Sequence, residues 1–424
     1  MSNFTILKNG RVIDPLQGRD QVEDVWILNG NIVEPGSVES ADCRVLDVDG
    51  CWVVPGLIDM HVHLREPGEE YKETIASGTM AAAAGGFTGV ACMPNTNPVN
   101  DNATVTAFIR EKAAQCNARV YPVGAISTGL KGEKLAEYGE MKKEGAVAVS
   151  DDGCPVVDSQ LMRRALEYAS SHGLLVISHA EELALSRGGC MNEGELSTRM
   201  GLRGIPAAAE SIMVQREIEL AELTGVHIHI AHVSTVAAVR LIRAAKERGV
   251  RVTAETAPHY FSLTEEAVTG YNTNAKMNPP LRSEADRRAI VEALADGTID
   301  VIATDHAPHT VLEKEVEFNI AANGIAGLET SLSLSLALVR EELLSPQRLV
   351  ELMSCNPAAI LGVGGGTLIV GKTADVTVID PDRKYIFDAA KSFSKAANSP
   401  FDGWELQGLA VATFMGGAET YNVL

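Results

Sequence analysis

Short, nearly unbroken apolar runs alternate with longer amphipathic stretches through the middle of the chain. The runs read GLIDMHVH (56–63), FTGVACMPN (87–95), ARVYPVGAIS (118–127), GAVAVSDD (145–152), GLLVISHA (173–180), GVHIHIAHVS (225–234), GVRVTAETAP (249–258) and IDVIATDHAP (299–308). Runs of this kind suit strands of a parallel sheet covered on both faces. Between them, PAAAESIMVQREIELAELTG (206–225) and STVAAVRLIRAAKERG (234–249) have helical composition and end at a glycine, where a helix closes. Eight strand–helix units over about 250 residues predict a closed (β/α)8 barrel rather than an open doubly wound sheet. No G-x-G-x-x-G follows an early strand, which removes the dinucleotide-binding alternative.

The two ends alternate with a shorter period. FTILKNGRVID, DVWILNGNIV and RVLDVDGCWVV in residues 1–55 are punctuated by N-G and D-G turns, and GTLIVGKTADVTVID and LAVATFMGGAETYNV in residues 363–424 behave alike. Neither end is long enough for its own core. They are expected to pair into one β-sandwich beside a barrel over 56–362, with GVGGG (362–366) as the hinge.

Composition adds exclusions. With 36 basic against 56 acidic residues, the net charge of −20 disfavours nucleic acid and anionic membranes as partners. The start MSNFTILKNG lacks the pattern of a secretory signal, and no apolar run approaches the roughly 20 residues a membrane helix needs. Seven scattered cysteines without a C-x-x-C suit a reducing cytoplasm; Cys154 reads as a small buried filler.

The chemistry of a (β/α)8 barrel gathers at the C-terminal ends of its strands. His61 and His63 end the first run, Asp151 and Asp152 the fourth, His179 the fifth, His232 the sixth and Asp305 the eighth. Each alone has a structural reading, and Asp151 reads as a helix N-cap. Five strand ends that all carry imidazole or carboxylate point instead to a metal site. Nitrogen and oxygen donors without thiolate suit Zn²⁺ or another borderline divalent ion, and the set is large enough for two ions bridged by a carboxylate. A second H-x-H, His227 and His229, lies earlier in the sixth run with the parity opposite to His232. It reads as structural or helix-facing.

With these residues in view, the chain resembles the dihydroorotases of the bacterial type I class, in the amidohydrolase superfamily. DMHVHLREPG (59–68) and ATDHAPHTVLEK (303–314) carry the likeness, and MPNTNP, SDDG, SHAEE, AHVST, ETAPHY, KMNPPLR and GLET follow in order along essentially the whole chain. The resemblance implies reversible cyclisation of N-carbamoyl-L-aspartate to L-dihydroorotate in pyrimidine synthesis. It implies one or two zinc ions, two being favoured: one held by His61, His63, Asp152 and Asp305, and a second by His179, His232 and Asp152. A metal-bound hydroxide would attack the ring carbonyl, with Asp305 as the proton shuttle. Arg65, Asn95 and His309 would take the substrate carboxylate; His63, Asn278, Asn323 and Gly324 would complete the substrate contacts. In hydantoinases, allantoinases and other dihydroorotase classes the bridging ligand is a carboxylated lysine, whereas the fourth run here ends in SDDG. Ala322-Asn323 stands where the family commonly has Pro-Phe.

Two other readings compete. One is a cyclic amidohydrolase for hydantoin, dihydropyrimidine or allantoin, which Arg65 and the aspartate bridge oppose. The other is an inactive subunit that scaffolds aspartate transcarbamoylase, which the complete ligand set opposes. Aspartate transcarbamoylase stays a possible partner of the active enzyme, a homodimer is the expected assembly, and residues 306–320 form a candidate mobile lid at the catalytic rim.

Overall fold

The computed structural model describes residues 4–37 and 43–424; residues 1–3 and 38–42 of the expected N-terminal segment lie outside it. All eight central runs contain a strand: β1 (Leu57–Val62), β2 (Phe87–Cys92), β3 (Arg119–Ala125), β4 (Ala148–Ser150), β5 (Leu175–Ser178), β6 (Ile228–Ile230), β7 (Val252–Thr256) and β8 (Val301–Ile302). They pair in parallel in chain order. The last step back to β1 is made just beyond β8 by a parallel bridge between Val62 and His306, where His63 N donates to His306 O at 2.9 Å. The chain therefore folds as a (β/α)8 barrel. Ile58, Met60, Val123, Ile177, Ala231 and Val301 fill its interior, while Leu57, Val62, Val90 and Val149 pack outward with the helices. The two helical segments form Ala208–Thr224 and Val236–Glu247, and Gly225 and Gly249 take φ of 67° and 80° at their C-terminal ends.

The chain ends share a second sheet. Phe4–Asp14 pairs antiparallel with Arg19–Leu28 and parallel with Trp52–Pro55, which pairs with Val376–Ile386, then Glu405–Met415 and Ala418–Asn422. Leu7, Val25, Ile27, Val53, Val376 and Phe414 form its separate core, giving the small sandwich beside the barrel. Asn29-Gly30 makes a tight hairpin turn, with φ of 49° and 84°. Asn9-Gly10 does not: Asn9 has φ 66°, but the pairing merely shifts register there and the strand continues, so this N-G is a bulge and not a turn.

The segment expected as a lid carries a short helix, Val311–Lys314, and is tethered. Lys72 Nζ lies 2.9 Å from Glu313, and Lys314 Nζ donates to Ala322 O at 2.8 Å and to Gly324 O at 3.0 Å. Cys154 is exposed, contrary to its reading as a buried filler; it lies in the turn after β4, beyond the packed interior. Among the described residues no helix is long and apolar enough to cross a membrane.

Candidate metal centre and substrate cavity

Strict alternation along β1 would turn His61 outward, because Ile58 and Met60 already face the barrel interior. Between Asp59 and Val62 the pairing with β2 advances three residues on β1 against two on β2 (Asp59↔Val90, Val62↔Cys92). This bulge resets the parity, so that His61 and His63 both point inward. Asp59 fixes it: Oδ1 accepts from the backbone N–H groups of His61 and Thr304, each at 3.1 Å, and Oδ2 accepts from the Thr304 hydroxyl at 2.6 Å. At two other strand ends the backbone itself turns, with φ of +33° at His232 and +48° at Asp305. Such values are uncommon for residues other than glycine and cluster at functional sites.

Asp152 stands at the centre of these side chains. Its Oδ1 lies 3.4 Å from His61 Nε2, 3.3 Å from His179 Nδ1 and 3.4 Å from His232 Nε2, while Oδ2 lies 3.5 Å from His63 Nε2. Asp305 Oδ1 is 3.1 Å from His63 Nε2 and 3.5 Å from His61 Nε2. Two compact groups result, His61–His63–Asp305 and His61–Asp152–His232, with the ligand atoms of each within 4.8 Å of one another. His179 adjoins the second group through Asp152 and packs its ring 4.6 Å from that of His232, but is not one of the compact three.

The electrostatics are those of a cation site. Burial alone would lower His61, yet Asp152, Asp305 and Glu255 outweigh it and hold this imidazole well above its usual value. Burial likewise opposes, but Asp152 and Glu181 raise, His179 to about 10. Asp152 and Asp305 are held below the usual carboxylate range by the histidines, against the effect of burial. A divalent cation among these groups would balance the same carboxylates. Nε2 of His61 and Nε2 of His232 are buried without a hydrogen-bond partner among the described residues, and an unsatisfied buried nitrogen is costly unless it ligates. The donor set thus fits a divalent metal.

A cavity of about 300 Å³ opens over these ligands, lined also by Arg65, Asn95, Asn278, His309 and Asn323. Arg65 is buried, not a surface ion-pair residue. Its Nε donates to Pro308 O at 3.3 Å, its Nη2 lies 3.3 Å from His309 Nε2, and no carboxylate among the described residues is within ion-pair distance. His309 is kept neutral, its pKa lowered to about 3 by burial and by Arg65. Gly324 is not itself among the lining residues; a Cβ there would meet Ala307 O at 2.6 Å and His309 Cδ2 at 2.8 Å.

Sequence comparisons show which family the chain falls in. Residues 50–238 match the family described as Dihydro-orotase-like. The chain is 66% identical to a dihydroorotase of Desulfotalea psychrophila over 416 residues, covering 98% of this chain and 99% of that one. It is 59% identical to a dihydroorotase of Geobacter metallireducens over 419 residues, covering 98% and 99%. The chain belongs to the dihydroorotase family. Among solved structures, the L-hydantoinase of Arthrobacter aurescens superposes with a TM-score of 0.87 at 28% identity, covering 99% of this chain and 97% of that one. The dihydropyrimidinase of Brevibacillus agri gives 0.85 at 24%, covering 100% and 95%, a likeness of fold.

Several contacts that shape this dihydroorotase-family site are not readable from the sequence. Glu255 Oε1 accepts from His61 Nδ1 at 2.6 Å, and Asn95 Oδ1 accepts from His63 Nδ1 at 2.8 Å, so Asn95 orients a ligand as well as lining the cavity. Glu181 backs His179 at 3.2 Å and is lowered to about 2 by that histidine, against burial. Glu210 accepts from Ser234 N at 3.1 Å, Thr235 N at 3.0 Å and the Thr235 hydroxyl at 2.9 Å, pinning the turn that presents His232. Asp151 is no helix N-cap. It accepts from Ile126 N at 2.7 Å and Ser127 N at 3.0 Å, tying β4 to the end of β3, and Asp158 caps the next helix instead. His229 is structural but faces the barrel interior, not the helices.

Proposed function

We propose that the chain is a zinc-dependent dihydroorotase, interconverting N-carbamoyl-L-aspartate and L-dihydroorotate. The observation that carries this reading is the buried, carboxylate-free guanidinium of Arg65 beside a histidine–aspartate metal site in one cavity. His61, His63, Asp152, His232 and Asp305, with His179 alongside, would hold the metal, which would supply Lewis acidity for the amide hydrolysis. Arg65 offers a bidentate fork to the substrate carboxylate, with the Asn95 amide and His309 beside it. Asp305, whose Oδ1 lies 3.1 Å from His63 Nε2 within the ligand cluster, accepts a proton from the attacking water and delivers it to the ring nitrogen as the C–N bond breaks. Cyclisation runs the same transfers backwards. Asn278 and Asn323 border the space for the ring.

Hydantoin-type substrates lack the carboxylate that Arg65 answers, and an inactive scaffold has no use for two orphaned imidazole nitrogens. Zinc analysis of the purified chain combined with a dihydroorotate ring-opening assay tests the reading: zinc and turnover together support it, and absence of both sinks it. Two zinc ions per chain, a cytoplasmic homodimer and association with aspartate transcarbamoylase belong to the same reading; metal stoichiometry, sedimentation and co-purification test them.

A further inference from the structure

We propose that Glu255, held from behind by His229, is a positioning residue that fixes His61 as a metal ligand; this rests on the metal-site reading above. β7 places Val252 and Ala254 outward among the helices, so Thr253 and Glu255 point into a barrel interior otherwise filled by Ile58, Met60, Ile177 and Val301. A carboxylate buried there demands a donor for each oxygen. It has two: His61 Nδ1 at 2.6 Å from Oε1 and His229 Nε2 at 3.2 Å from Oε2. Behind them, Thr253 Oγ1 lies 2.9 Å from His229 Nδ1 and 2.8 Å from His227 Nε2.

This chain has one consistent direction with neutral imidazoles and an ionised Glu255. A carboxylate only accepts, so both facing imidazole nitrogens carry hydrogen. His229 Nδ1 is then an acceptor and takes the Thr253 hydroxyl proton, and the Thr253 oxygen accepts from His227 Nε2–H. At the other end His61 is left with its lone pair on Nε2, the atom that lies 3.4 Å from Asp152 and 3.5 Å from Asp305. The network thus selects the ligating tautomer, stops ring rotation and places a negative charge behind the imidazole, all of which strengthen ligation. His61 is the imidazole shared by both ligand groups, and its partner is a carboxylate where His63 has only the Asn95 amide. Glu255 does not line the cavity, so it acts through His61 and not on substrate.

The test uses the full-length, metal-stripped protein titrated with zinc against a chromophoric chelator and with Co²⁺ followed by its visible absorption. Glu255→Gln is expected to weaken zinc binding by roughly 10–100-fold and to alter the cobalt spectrum, with KM for dihydroorotate unchanged at saturating metal. His229→Leu, which removes one donor, is expected to weaken zinc in the same direction, and His229→Gln, which restores an N–H, to recover it. This second pair decides the matter should Glu255→Gln not fold. Wild-type zinc affinity and cobalt spectrum in Glu255→Gln or His229→Leu, with only the melting temperature lowered, would overturn the proposal. Failure of the wild-type chain itself to bind zinc or cobalt would instead overturn the metal-site reading.

Discussion

The side-chain amide of Asn95 accepts from Nδ1 of His63 across 2.8 Å while facing the substrate cavity. One residue therefore both orients a ligand histidine and lines the cavity. Asn95→Ala is expected to raise the zinc concentration needed for half-maximal turnover by about 10–100-fold and to raise KM once zinc is saturating. A zinc titration of activity at several substrate concentrations separates the two effects.

Asp305 belongs to the His61–His63–Asp305 group and is the proton shuttle of the proposed reaction. Asp305→Asn keeps the size and one oxygen but cannot take that proton. It is expected to retain metal and to lose on the order of 10²–10⁴-fold in kcat in both directions. Atomic absorption on the variant together with forward and reverse assays checks this, and near-wild-type turnover would remove Asp305 from the role.

Arg65 is buried, and no carboxylate among the described residues lies at ion-pair distance from it. Arg65→Ala is expected to raise KM for dihydroorotate and for N-carbamoyl-L-aspartate by roughly 10–100-fold, the worth of a charge-assisted pair of about 1.5–3 kcal/mol. Arg65→Lys should recover only part of it, since a point charge replaces a fork. Steady-state kinetics in both directions reads the change, and unchanged KM values would take Arg65 out of the pocket.

Removing metal should expose the carboxylate field as a pH effect. His179, with an ordinary value of 6.5, is raised to about 10 when only protons balance Asp152 and Glu181. A group raised on folding contributes stability that is complete below its unfolded value and is lost as pH climbs through its folded value. The melting temperature of the chelator-treated protein should therefore fall between about pH 6.5 and 10. Zinc affinity should rise over the same interval as metal displaces those protons. Calorimetry with and without zinc across this range reads both trends.

Glu210 is buried and holds the Ser234–Thr235 turn from a neighbouring helix. Glu210→Ala leaves two buried N–H groups unsatisfied and should cost about 2–4 kcal/mol, read by denaturant unfolding of the metal-free protein. Because that turn follows His232, zinc affinity should weaken as well.

The barrel was legible because its strands are apolar on both faces, even where the regular strand shrinks to Val301–Ile302. The ligands were legible because five strand ends repeat one chemistry. Parity was a poorer guide. Alternation counted along the sixth run separates His229 from His232, but the positive φ of His232 brings it to the same interior. The H-x-H of β1 faces inward only through a bulge that no residue in DMHVH announces. Glu255 did leave a signal, the one charged residue in the run VTAETAP, although its purpose depends on His61, 194 positions away. Asp151 and Asp152, adjacent and alike in sequence, part company because one meets backbone N–H groups and the other meets imidazoles.

Under the proposed metal reading, Asp152 also frees the site from a dissolved gas. A carboxylated lysine forms only by capture of carbon dioxide on its amine, so an enzyme that relies on one assembles its metals only where bicarbonate is at hand. Here the carboxylate at the centre of the imidazoles, Asp152, is encoded in the chain and buried among them. Reconstitution with zinc should proceed equally well in degassed, bicarbonate-free buffer.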